Sequence, residues 1–122
     1  MEPTVLAAWD PSLDALVAAP AHHRLLFENA HVRVLDTRIP PGDMVPVHTH
    51  CWPATHYVLG ISHFVRRDAA GTVLVDTRAG AQLPAPGTTI WGEALGPHTL
   101  ENVGDQPIHI ISTELKTPGA RG

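Results

Sequence analysis

Two histidines separated by one residue, His48-Thr49-His50, are the first feature of this chain able to do chemistry. On a strand, residues two apart stand on the same face, so the pair presents two imidazoles side by side, as two ligands of one metal require. Imidazole serves zinc, iron, copper, nickel and manganese alike, so the pair does not select the ion. Such a pair also arises by chance in a chain with nine histidines, and a partner is needed. His98 supplies one, some fifty residues later, after a Gly96-Pro97 turn and four residues before Asn102.

Together the two segments resemble the motifs of the cupin superfamily. The first motif is a Gly, five residues, His-x-His, then a Glu and a later Gly; Gly42, His48, His50 and Gly60 occupy those places. The second ends in Pro-x-Gly-x-x-His-x-x-x-Asn, which His98 and Asn102 match, with Leu95-Gly96-Pro97 a loose version of its start. The resemblance covers residues 24–115, and within the superfamily it looks most like small bacterial proteins assigned to β-alanine degradation. It implies a jelly-roll barrel with His48, His50 and His98 around one divalent metal, a small-molecule ligand or substrate, and a homodimer. One departure matters: no carboxylate occurs between Cys51 and Arg67, where the Glu ligand of the motif belongs. Either the metal keeps three His ligands, as in the thiol dioxygenase cupins, or His56 takes the fourth place. Strand parity puts His56 on the face of His48 and His50 unless Pro53 introduces a bulge.

The elements that must position these residues are strands. Twelve Pro and ten Gly in 122 residues mean many turns. Turn signals bound short apolar or alternating runs at Leu25–Phe27, Val32–Ile39, Met44–His50, Tyr57–Leu59, His63–Val65, Thr72–Asp76, Thr88–Trp91, His98–Val103 and Ile108–Leu115. Eight or nine short strands point to an all-β jelly roll, in which closure removes exposed sheet edges. Residues 1–20 differ: they are Ala-rich, with Asp10 and Pro11 as N-cap and first position of a short helix whose Leu13, Leu16 and Val17 share a face. The reading is therefore a helical arm at 1–20, a barrel at 24–115 and a frayed tail at 116–122.

Around the metal, the pocket is expected to draw on Trp52, Tyr57, Trp91 and His109, with Arg33, Arg38 and Arg66 as candidate anion contacts. Core packing is the alternative for Tyr57 and a solvated outer face the alternative for the arginines, favoured for Arg66 and Arg67. His22, His23 and His31 lie outside both motifs and read as surface residues. Cys51 reads as a packed thiol, because no base is paired with it. A net charge of −4 with dispersed cations argues against nucleic acid. The longest apolar runs fall well short of the roughly 20 residues of a membrane helix, and no secretory signal is visible, so a cytoplasmic protein is expected. The function these residues favour is a mononuclear non-haem metal enzyme, dioxygenase-like or a metal-dependent lyase or isomerase, acting on a small polar metabolite. Iron comes first as cofactor, with zinc, nickel or manganese as alternatives. The competing reading is a non-catalytic module that binds a small molecule or a metal.

Overall fold

The computed structural model describes residues 9–116; residues 1–8 of the expected arm and 117–122 of the expected tail lie outside them. Among the described residues, nine antiparallel strands form two sheets. They are β1 (His23–Glu28), β2 (Val32–Ile39), β3 (Met44–His50), β4 (Ala54–Gly60), β5 (Phe64–Asp68), β6 (Val73–Asp76), β7 (Thr89–Gly92), β8 (Leu95–Asn102) and β9 (Ile108–Leu115). The larger sheet runs β1-β2-β9-β4-β7 and the smaller β3-β8-β5-β6. Ile39, Val45 and Ile108 are buried where the sheets face each other, with Ile61, Phe64, Leu100 and Ile110 packed against them.

Alternation along the strands decides which side chains reach this interior. On β9, Ile108, Ser112 and Glu114 are buried, whereas the residues between them are less so. On β2, Arg33, Leu35 and Ile39 point in, and β2 pairs with β9 without a register shift from Val32↔Leu115 to Ile39↔Ile108. Turn chemistry closes the barrel at one end. Gly42 of the Pro-Pro-Gly turn has φ +87, which favours glycine, and its N–H donates to the Asn102 carbonyl at 3.0 Å. The Asn102 side chain is fully buried. Its amide donates to Ile39 O (2.9 Å) and Gln106 O (2.8 Å), and its oxygen accepts from Gly104 N–H (3.0 Å). Asn102 thus ties two turns to the end of β8 and has a structural role.

The N-terminal helix is shorter than expected. Asp10 accepts from Ser12 N–H ahead of Pro11, but the turn it starts is a 3-10 turn over Pro11–Leu13. Asp14, with extended backbone (φ −53, ψ 142), then caps a separate single turn, α1 (Ala15–Ala18), through Leu16 N–H. Its apolar contact is made by Ala15 and Ala19, at most 1% exposed, while Val17 is 62% exposed. The Leu13-Leu16-Val17 stripe is therefore not the buried face. Among the described residues no helix is long and apolar enough to cross a membrane.

Candidate metal centre and cavity

Strand register brings the three motif histidines together. His48 of β3 and His98 of β8 are direct cross-strand partners, and His50 follows His48 on the same face. The ring centroid of His48 lies 4.3 Å from that of His98 and 4.9 Å from that of His50. A fourth ring completes the group. His23, at the start of β1 in the opposite sheet, lies 5.0 Å from His48 and 5.4 Å from His50. One ring nitrogen each from His23, His48 and His50 falls within 4.8 Å of the others, close enough to share an ion. The expectation that His23 is a surface residue is thus overturned. It is 6% exposed, because β1 begins two residues earlier than the apolar run Leu25–Phe27 suggests. His31 is exposed, and His22 is half-buried and paired with Asp43 at 3.1 Å.

The second nitrogen of each ring is already committed. Nδ1 of His23 meets Ala19 O (3.0 Å), that of His48 meets Pro46 O (2.8 Å), and that of His98 meets Gly96 O (2.7 Å). A carbonyl only accepts, so these Nδ1 atoms carry the proton and each Nε2 keeps a bare lone pair. Nδ1 of His50 donates to Glu114 Oε2 at 3.1 Å. Four imidazoles fixed in one tautomer by outer hydrogen bonds are what metal-ligating histidines show. Burial also keeps them neutral: it pushes His48 down to about 2, His98 to about 4 and His50 well below its ordinary value, and it lowers His23. Neutral nitrogen donors are the form that binds a metal, so the residues fit one.

Behind His50 runs a chain of charges. Glu114, 1% exposed, gives its other oxygen to Arg33 Nε at 2.7 Å, and Arg33 grips Asp14 through both terminal nitrogens at 2.9 and 3.0 Å. Burial raises the Glu114 carboxyl, and the Arg33 charge counters part of that rise. Burial also acts to raise Asp14, but the Arg33 hydrogen bonds and charge outweigh it and hold the carboxyl below its usual range. Arg33 therefore does not contact ligand in the cavity. Its guanidinium stacks at 5.1 Å over Trp52, which sits in the β3–β4 connection.

A cavity of about 200 Å³ opens beside the imidazoles, walled by Ile39, Val45, Val58, Phe64, Leu100 and Ile110, with His56 and Arg66 among its polar members. None of the expected pocket residues Trp52, Tyr57, Trp91, His109, Arg33 and Arg38 lines it. The reason for four of them is strand parity. Ile39, Val58, Ile90 and Ile110 face in, so Arg38, Tyr57, Trp91 and His109 face out. Arg38 and His109 instead meet Asp36 on the outer face, at 3.2 and 3.0 Å. His56 does face the interior, as parity requires, but from the opposite sheet. Its Nδ1 lies 2.7 Å from Ser112 Oγ and its Nε2 packs over Gly92, where a Cβ would come within 2.5 Å. Its ring makes none of the contacts that join the four histidines. Of the three candidate anion contacts only Arg66 lines the cavity, although a solvated face is the favoured expectation for it. Cys51 is half-buried and burial raises its thiol, in keeping with a packing role.

Neither a protein-family model nor a curated protein matches the sequence. Solved structures match by shape. A cupin domain from Bordetella pertussis superposes with a TM-score of 0.61 at 18% identity, over 78% of this chain and 92% of that one. An RmlC-like cupin with a double-stranded β-helix from Methanocaldococcus jannaschii gives 0.55 at 10% identity, over 81% and 83%. A double-stranded β-helix protein from Klebsiella pneumoniae gives 0.52 at 19% identity, over 82% and 78%. At such identities the likeness is one of fold. The chain has the cupin fold.

Proposed function

We propose, proceeding from the cupin fold, that this chain is a mononuclear non-haem metal enzyme whose ion is held by Nε2 of His23, His48, His50 and His98. The observation that carries the reading is the shared tautomer: four rings, three buried and that of His50 half-buried, turn their protonated nitrogens outward to fixed acceptors. Iron is the first choice, with zinc, nickel or manganese as alternatives, since an all-imidazole set accepts each of them. When bound, the ion supplies a Lewis acid next to the cavity. The chain's own residues do the rest. The apolar walls exclude water, the Nδ1 acceptors hold the ligand rings in place, and His56 with Ser112 offers a proton-carrying pair at the cavity wall. His56 then modulates the reaction and is not a ligand.

Metal analysis of protein purified without a His tag tests this, followed by reloading of stripped protein with each ion. About one ion per chain is expected. His48→Ala, His98→Ala and His23→Ala should each weaken binding by more than the roughly 10–100-fold that loss of an outer hydrogen bond costs. His31→Ala should change nothing. Full metal content in His98→Ala would sink the site, and full content in His23→Ala would return it to three ligands. Nitric oxide uptake by the iron-loaded protein supports an oxygenase. Its absence favours the alternative, a binding module with a saturated metal.

The chain is further proposed to act as a homodimer in the cytoplasm. β1 is an edge strand, and its consecutive Leu25, Leu26 and Phe27 are 43%, 43% and 53% exposed, so both of its faces offer apolar surface to a second copy. Light scattering at micromolar concentration should give twice the chain mass, and Phe27→Asp should give the monomer.

A further inference from the structure

We infer that Arg66 is an anion anchor, and that the ligand is a small monocarboxylate with an apolar body, its carboxylate on the guanidinium and its other end toward the four histidines. This rests on the cavity being the working site proposed above, but not on the metal.

The first support is that Arg66 is unpaired. Its Nε is buried with no hydrogen-bond partner. The other arginines of the described residues all reach a carboxylate: Arg24 and Arg38 on Asp36, Arg33 on Asp14 and Glu114, Arg67 on Glu101, and Arg78 on Asp76. Arg66 as a whole is half-buried, and a partly desolvated charge without a partner is costly; such costs are retained where a ligand completes the pair. Burial alone acts on Arg66, lowering it from its ordinary value, and no carboxylate offsets this.

The second support is the company it keeps. No carboxylate lines the cavity, so nothing within the walls competes for the guanidinium. Arg66 is the one arginine or lysine side chain of the lining. One positive charge among apolar walls matches one negative charge on an apolar body, and a phosphate dianion would leave charge unmatched. The Arg66 guanidinium carbon lies over the Phe64 ring at 5.5 Å from its centroid, and a guanidinium takes a carboxylate through two parallel N–H groups.

Register gives the reach. Arg66 pairs with Leu100, two residues along β8 from His98. Diagonal neighbours of this kind stand roughly 7–8 Å apart, a span a few carbons bridge. At roughly 30 Å³ for each water-sized group, the cavity of about 200 Å³ encloses about six or seven such groups, most of a short fatty acid, and its open mouth takes the remainder.

The test uses hexanoate as probe, with hexanamide as its neutral counterpart and inorganic phosphate as the dianion, titrated by NMR into metal-free protein. Hexanoate should bind about tenfold or more tightly than hexanamide, because charge-assisted pairs are the stronger ones. Arg66→Met, which keeps the apolar bulk, should lose that preference while leaving hexanamide unchanged, and Arg66→Lys should keep part of it. Relieved of an unpaired charge, Arg66→Met should also melt no lower than the parent. Hexanoate binding unchanged in Arg66→Met, tighter binding of phosphate, or a marked fall in melting temperature would each overturn the assignment. Because these titrations contain no metal, failure of the four-histidine centre would leave them intact. Conversely, a normal metal content with no carboxylate preference would condemn Arg66 alone.

Discussion

Glu114→Ala should lower the melting temperature of the metal-free protein by roughly 10–20 °C. Glu114 is the hinge of a buried ion chain, with Arg33 on one oxygen and His50 on the other. Removing one partner of such a pair leaves an uncompensated charge and costs about 3–5 kcal/mol. In a domain of this size each kcal/mol moves the midpoint by about 4 °C. The loss should be graded: Glu114→Gln keeps the shape and an acceptor for Arg33, so it should cost less stability. It should still weaken metal binding about 10–100-fold, because the carboxylate that orients His50 has lost its charge. Circular dichroism melts and metal titrations of both variants check this. A melting point within about 3 °C of the parent for Glu114→Ala would mean that Arg33 is satisfied by Asp14 alone.

Mild acid should unfold the metal-free protein, and bound metal should protect it. His23, His48, His50 and His98 all have folded-state values depressed by burial, to about 2 for His48 and about 4 for His98. Above pH 6.5 they are neutral both folded and unfolded and contribute no pH dependence. Below it the unfolded chain takes up protons that the folded chain refuses, so stability falls as pH falls toward the folded values. Glu114 works in the opposite sense. Its raised value means that the folded state gains a proton first, which offsets part of the loss. Four protons less one, at about 1.4 kcal/mol per pH unit each, give a slope near 4 kcal/mol per unit at its steepest. A fold of ordinary stability, about 5–15 kcal/mol, is then close to failing by about pH 5. Melting temperatures at pH 7.5, 6 and 5 should drop steeply without metal and less with it. A flat profile from pH 7 to 5 would show that the rings are solvated and not buried.

Where residues alternate and turns are emphatic, the sequence was legible. Val32–Ile39, Met44–His50 and Ile108–Leu115 form strands with the expected bounds, and the His48, His50 and His98 rings meet. What failed was the choice of face. Tyr57, Trp91, His109 and Arg38 were assigned to the pocket by chemical type, although the period of two places them outside once Ile110 and Val58 are taken as inward. The same period on β9, carried from Ile108 to Glu114, would have exposed a buried carboxylate opposite the gap left by the missing Glu. His23 had no such signal. It sits at the edge of an apolar run, and its ring is placed by pairing between distant segments and by the Ala19 carbonyl. Arg66 lies next to Arg67, and the pair reads as a charged outer face until the register with Leu100 separates them.

That His23 belongs to one sheet and His48, His50 and His98 to the other has a consequence for the unfolded chain. An ion held by all four is a cross-link closing two successive loops, of 48 − 23 = 25 and 98 − 50 = 48 residues. By polymer statistics, loops of that length each remove about 3–4 kcal/mol of conformational freedom from the denatured ensemble, as a disulfide does. A chain with one cysteine, and hence no disulfide of its own, would thus acquire a reversible staple whose strength follows the free ion concentration.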